Sequence, residues 1–401
     1  MRTTVSMPTP SKTQRETPRR GYLRDHPWLQ AVRTEKTRWL TAFLGFLLVM
    51  DSSDMSWWPV SVPPAQFALA GLALLVALSV TVPARGTWGL TCALVVLLSV
   101  VGVSTLSTGN VVLSRLGTIV SWVFLMYGVA RGALSVGSLI RGMAWGLVAG
   151  VLYGVAFLGS SSYQGRLTGL LGDPNTAGLA LASVGVLTLV FLRRSWTRCV
   201  VLLIVIAGLV LTASRTSMLA CVVAVVIVLL AHKTHPVVVV AGVGAIMWWL
   251  SETTRSGGSG ESFFERGYFA DREGSDHLRT ILAPLEEQKR ISGGLLGHGP
   301  GEAHIMVEAD FRMFAHNSYS GFQMEFGQLG LAALALVGLV LLWRYSRRGV
   351  YRDPLMSWPV AAVSAVLIAS MSLGEAIVTP AGAVAAGALV LVSRHAKVPV
   401  R

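Results

Sequence analysis

Ala315-His316-Asn317-Ser318-Tyr319 opens a stretch that runs through Gly327-Gln328-Leu329-Gly330 and straight into the apolar residues 331–342. It closes the one long polar segment of a hydrophobic chain, so it marks where that chain re-enters an apolar phase. Read as a helix, it places His316, Ser320, Gln323, Gly327 and Gly330 on one stripe, at helical steps of three and four. A titratable imidazole at the watery end of an apolar helix, above small residues, is the sharpest chemical signal here. The plain alternative is a satisfied interfacial histidine.

Outward from this stretch the chain is apolar almost throughout. Of 401 residues, 53% are hydrophobic and only 13% charged, with a mean hydropathy of +0.61. A soluble protein carries about a quarter charged residues. The apolar residues fall into blocks at 39–56, 65–82, 88–106, 114–130, 142–159, 176–192, 197–212, 217–231, 236–250, 322–342, 356–373 and 377–393. Blocks of this kind predict an all-α, polytopic integral membrane protein, because only helices satisfy their own backbone in lipid. A β-barrel would show alternating segments of about ten residues instead. About twelve transmembrane helices are expected, the first least regular because Asp51 and Asp54 interrupt its outer end.

The net charge of +13 is placed for a membrane and not for nucleic acid. Arg85, then Arg131 and Arg141, then Arg193, Arg194 and Arg198, then Lys233, then Arg344, Arg347, Arg348 and Arg352 occupy every second connector. By the positive-inside rule those connectors and both termini face the cytoplasm. Residues 1–38 read as a basic cytoplasmic tail without the apolar core of a signal peptide. Residues 39–250 carry nine spans, 251–321 a large extracytoplasmic loop, 322–393 three more spans and 394–401 a short cytoplasmic tail. Within the loop, residues 275–291 predict a short helix lying on the membrane, which Pro284 must start, kink or end. Cys92, Cys199 and Cys221 all lie in apolar blocks. They give neither a disulfide framework nor metal-ligand spacing.

Three arginines stand in connectors of the outward set. Arg166 lies in Gly165-Arg166-Leu167-Thr168-Gly169, ahead of an Asp173-Pro174-Asn175 turn that caps the next helix. Arg215 lies in Ser214-Arg215-Thr216-Ser217, a turn too short to move far from the membrane surface. Arg279 precedes the glycine-rich run Gly293–Gly301, which lacks the βαβ setting of a dinucleotide site. Each alone reads as a snorkelling or solvated charge. Together they suit an anion, since guanidinium groups bind phosphate oxygens bidentately and stay charged. If His316 joins them, their charge favours the neutral imidazole that a general base requires. Asp51 and Asp54 form a rival acidic site in the first outer loop, and Glu308, Asp310 and Glu375 are further carboxylates on that side.

His316-Asn317, nine residues and then Gly327-Gln328-Leu329-Gly330 resemble the pattern of the bacterial O-antigen ligase and polymerase family. The likeness extends to Arg166-Leu-Thr-Gly with Asn175, to Ser214-Arg215, and to Arg279 leading into Gly297-His-Gly-Pro-Gly, in the same order over residues 160–345. It implies a metal-independent, cofactor-free inverting glycosyltransferase of the cytoplasmic membrane. Such an enzyme takes a glycan from undecaprenyl pyrophosphate and joins it to an acceptor hydroxyl on a glycan or glycolipid. On that resemblance His316 is the general base, and Arg166, Arg215 and Arg279 hold the donor pyrophosphate. Asn317 orients His316, Asn175 and Ser214 support the site, and Gly327 with Gly330 lets the tenth span pack closely. Two other functions remain open on the residues. One is a transporter or flippase of the lipid-linked glycan, which needs polar groups along a membrane path that the spans barely offer. The other is a metal-dependent enzyme acting on a polyprenyl monophosphate through Asp51 and Asp54.

Overall fold

The computed structural model describes residues 35–51, 62–79, 86–158, 165–192, 195–255, 273–308, 311–347 and 349–396. Thirteen α-helices lie among them. In chain order they are α1 (Glu35–Leu47), α2 (Pro64–Leu78), α3 (Trp88–Thr108), α4 (Leu113–Arg131), α5 (Val136–Ala156), α6 (Pro174–Phe191) and α7 (Ser195–Thr212). Then come α8 (Arg215–Leu230), α9 (Pro236–Arg255), α10 (Glu273–Ser292), α11 (Ser318–Ser346), α12 (Ser357–Ala369) and α13 (Pro380–His395). Every apolar block of the sequence overlaps one of these helices, and α10 is the polar exception. Four of them, α3, α4, α5 and α11, are long and apolar enough to cross a membrane, and six further apolar helices are shorter. Large side chains such as Leu78, Trp88, Leu106, Leu203, Trp248 and Leu339 stay exposed on the helix surfaces, as lipid permits and water does not.

Small residues set the closest crossings. A Cβ on Gly142 would collide with the Ala42 carbonyl, and one on Gly146 would lie 2.5 Å from the Phe46 oxygen. Backbones of α1 and α5 therefore touch directly, which is how helices gain contact where lipid removes the hydrophobic drive.

Described connectors meet in two sets. In one the Arg344 guanidinium donates to the Gly86 carbonyl, Arg394 to the Ala130 carbonyl at 2.8 Å, and His235 lies against Tyr351. In the other, Asp51 N donates to Leu170 O at 3.0 Å and Ser318 N to Ser370 O at 2.9 Å, while the Asn110 amide reaches the Pro300 carbonyl. Among the described residues, these basic connectors thus meet one another, and the non-basic ones meet one another.

The polar end departs from the sequence reading in three ways. Two short antiparallel strands, β1 (His304–Glu308) and β2 (Phe311–Phe314), form a hairpin with Ile305 opposite Met313 in a segment read from sequence as loop, while the chain as a whole is mostly helical, as an all-α protein should be. The helix expected at 275–291 is present as α10, with Pro284 inside it. The largest correction concerns the opening stretch: α11 begins at Ser318, so His316 precedes the helix and does not share its stripe. The helix also breaks at Gly327, which has φ 65° and ψ −164°.

The glycine-rich run 293–301 fills that break. Gln328 N and Leu329 N donate to the Gly294 and Leu295 carbonyls, each at 3.1 Å. In return His298 N and Gly299 N donate to the Met324 and Glu325 carbonyls at 2.8 and 2.9 Å. Backbone groups released by the break are paired again, as burial in an apolar phase demands. The approach is so close that a Cβ on Gly327 would strike the Leu295 carbonyl, and one on Gly297 would lie 2.6 Å from Gly327 N. Positive φ at both positions (65° and 75°) adds a conformational demand that favours glycine.

Alanine at Gly327 or Gly297 should cost about 2 kcal/mol or more. Alanine at Gly338 of the same helix, which has nothing within 4 Å of its Cβ position, should be neutral or mildly stabilising. Thermal unfolding of the three variants in detergent checks this. Equal melting of Gly327→Ala and Gly338→Ala would refute the packing account.

Candidate functional site

His316 occupies a short non-helical segment between β2 and α11, and that segment is pinned on both sides. Asn317 is the N-cap of α11, its Oδ1 accepting from Tyr319 N at 2.9 Å and Ser320 N at 3.3 Å. This satisfies two of the helix's orphan donors, so Asn317 secures the backbone and does not itself hold the imidazole. Ser318 Oγ donates to the Leu373 carbonyl and accepts from Ala376 N at 2.9 Å. The Tyr319 hydroxyl donates to Leu367 O at 3.1 Å.

The imidazole is held by Glu286, on α10. Glu286 Oε1 lies 3.2 Å from His316 Nδ1 and accepts the His316 backbone N–H at the same distance. A carboxylate only accepts hydrogen bonds, so Nδ1 carries the proton of that bond, and in the neutral ring Nε2 keeps a lone pair. His316 retains 30% side-chain exposure and Glu286 14%, enough for a reactant to reach the ring.

Two cavities meet at His316. The smaller, about 460 Å³, is walled by apolar side chains of α2, α5 and α6, by Leu48 and Val49 just after α1, and by Asp51, Asp173, Asn175, Glu375 and His316. The larger, about 840 Å³, is lined by Glu286, Glu287, Arg290, Asn317, Ser320, Gln323 and His316, among others. His316, Asn317's neighbour Ser320 and Gln323 therefore do converge, though not through a shared helical face.

The carboxylates of the smaller cavity act on one another. Asp173 caps α6 by accepting from Asn175 N at 2.9 Å. Asp51 keeps one side open to solvent but is otherwise crowded by protein. That crowding, together with the charges of Asp173 and Glu375, raises its pKa to about 6. In the larger cavity Arg290 pairs with Glu287 and donates to Gln323 Oε1 at 2.9 Å. Lys289 binds Glu302 at 2.9 Å and the His304 carbonyl at 2.7 Å, tying α10 to the hairpin.

The three arginines singled out in the sequence are placed unequally. Arg166 Nε donates to the Thr212 carbonyl at 2.9 Å, just before Ser214 and Arg215. Ser214 Oγ bonds Ser217 Oγ at 2.9 Å, and both serines pack on Gly178 of α6. Arg166, Ser214 and Arg215 thus form one cluster, at the end of the bundle that carries His316, but neither arginine lines the two cavities. Arg279 lies on α10, two turns before Glu286, and its side chain lies outside the described residues, as do Asp54, Asp310 and the side chain of Glu308. Gly330 abuts Phe326 of its own helix across the break, and Gly327 meets the loop instead of another span.

Reasoning from sequence missed two groups. Glu286 is one of several acids in an amphipathic segment, and nothing in its spacing to His316 marks it. Arg115 and Glu325 form a buried pair, Nη2 to Oε2 at 2.7 Å, and Arg115 Nη1 also reaches Glu375 at 3.2 Å. An acid inside the apolar run of α11 was a readable signal, as was an arginine at the start of the apolar block 114–130. No protein-family model and no curated protein matches the chain.

Asp51 supplies a pH prediction. Its carboxyl titrates at 3.8 when unfolded and at about 6 when folded. Its contribution to stability is therefore complete below the lower value and lost as pH rises through the higher one. Asp51→Asn should stabilise the protein at pH 7.5 by on the order of 1 kcal/mol once screening at its open side is allowed for, seen as a higher melting temperature. At pH 4 the gain should largely vanish. A gain that is the same at both pH values would contradict the assignment.

Proposed function

We propose that this chain is an integral-membrane inverting glycosyltransferase of the O-antigen ligase or polymerase type. It moves a glycan from undecaprenyl pyrophosphate to an acceptor hydroxyl. The observation that carries the reading is the position of His316, between two cavities and with its ring oriented by Glu286. A reaction between two bulky substrates needs a base exposed to the point where they meet. A single ring bordering both spaces supplies one.

In this reading the bundle has about twelve spans in the cytoplasmic membrane, with both termini cytoplasmic. The end carrying His316, the hairpin and α10 faces outward. The acceptor hydroxyl hydrogen-bonds to Nε2, which takes its proton as the oxygen attacks the anomeric carbon from the face opposite the pyrophosphate. The carbon–phosphate oxygen bond breaks and its electron pair leaves with the undecaprenyl pyrophosphate, so the anomeric configuration inverts. Glu286 stabilises the imidazolium formed in this step, as a carboxylate does behind a catalytic histidine. Arg166, Arg215 and Arg279 bind the pyrophosphate and stabilise its growing charge. That role is carried by the family resemblance and by the common end of the bundle that Arg166 and Arg215 share with His316.

His316→Ala should lower kcat by about 10²–10⁴-fold, the range for loss of a general base, while the protein still inserts and folds. Glu286→Gln should lose less, because Nδ1 keeps an oxygen partner while the charge is removed. Transfer of a radiolabelled glycan by purified, reconstituted protein measures both. Normal turnover by folded His316→Ala would sink the mechanism.

A further inference from the structure

We propose that Arg115 is a positioning residue for His316: one guanidinium that holds together the two supports between which the imidazole is hung. This deepens the reaction proposed above and rests on it. The first support is the side of Glu286. Arg115 Nε and Nη2 grip the Glu325 carboxylate at 2.7–3.1 Å, and Glu325 Oε1 also accepts from Gly301 N at 2.8 Å. Gly301 ends the glycine-rich run whose other end leaves α10, and α10 carries Glu286. The second support is the backbone around the ring. Arg115 Nη1 lies 3.2 Å from Glu375 Oε1. Glu375 stands between Gly374, which abuts the Ala315 carbonyl, and Ala376, whose N–H donates to Ser318 Oγ. Residues 374–376 thus touch the chain immediately before and shortly after His316.

The energetics favour a geometric role over one in stability. Glu325 is 1% exposed and Arg115 11%, and burying such a pair costs desolvation that offsets much of its attraction. The arm to Glu375, which is 57% exposed, adds little to stability. What the planar fork offers is direction: it addresses two carboxylates from fixed angles, which an ammonium does not. Holding Glu286 and the 315–318 backbone in register keeps Nε2 aimed at the place where substrates meet. A misplacement of about 1 Å there costs on the order of 10²-fold in rate.

The test uses full-length protein in proteoliposomes, with kcat expressed per folded molecule. Arg115→Lys should lower kcat by about 10–100-fold and leave KM for the lipid-linked donor within about twofold, since positioning is lost and binding is not. Glu375→Gln should lower kcat less. The double variant should fall no further than Arg115→Lys alone, because both act through one link. Folded Arg115→Lys and Glu375→Gln with wild-type kcat would overturn the proposal. If Arg115→Lys does not fold, Glu375→Gln decides: a reduced kcat at unchanged KM supports the link, and a wild-type kcat rejects it. A second readout separates this from failure of the reaction itself. The ¹⁵N spectrum of the His316 ring should show a protonated Nδ1 in wild type and a mixture of tautomers in Arg115→Lys. If wild type transfers no glycan but the spectra differ in this way, the reaction is wrong and the positioning role stands. Identical spectra would reject the positioning role.

Discussion

Four main-chain hydrogen bonds between a broken helix and a glycine-rich loop hold the polar end of this protein together. An apolar helix that breaks releases donors and acceptors into surroundings that offer no water. The break at Gly327 is tolerable because Gly294, Leu295, His298 and Gly299 take those groups up. Glycine at 297 and 327 lets two backbones meet at a distance that side chains forbid. Once the loop is docked, the exit of α10 is fixed, and with it the carboxylate that holds His316. The chemistry therefore hangs on backbone geometry set several residues away from it.

Around that joint, polar groups are used for direction more than for strength. Asn317 caps a helix, Ser318 is tied to the turn after α12 and Tyr319 to α12 itself, and Glu286 fixes which ring nitrogen of His316 carries the proton. Arg115 binds carboxylates from two separate segments. Each bond contributes about 1 kcal/mol net, a small share of what the apolar crossings provide. Together they leave the imidazole few orientations while keeping it open to both cavities.

Apolar blocks and alternating basic connectors made the helical architecture readable from the sequence. Those signals come from the solvent each residue meets and are strictly local. The break at Gly327 was not readable, because Gly327 and Gly330 fit a helical stripe as well as they fit a kink; only the partner loop distinguishes the two. His316 was marked by its place at the end of the polar segment. Its partner Glu286 is thirty residues away, on an element whose docking depends on the glycine contact. Arg166 and the Ser214-Arg215 turn are neighbours, although nearly fifty residues separate them in sequence. Among the described residues, Glu286 stands beside the His316 ring, Asp51, Asp173 and Glu375 line the smaller cavity and Arg290 the larger, while Arg166 and Arg215 lie outside both. Charge type can be read from a sequence, but which charges meet depends on long-range packing.

A proteoliposome assay of the purified wild-type chain, supplied with undecaprenyl-pyrophosphate-linked glycan and an acceptor glycan in EDTA, tests the central claim most directly. The account predicts a new glycosidic linkage of inverted anomeric configuration, formed without movement of the lipid-linked donor between leaflets. Translocation of the donor with no linkage formed would contradict it.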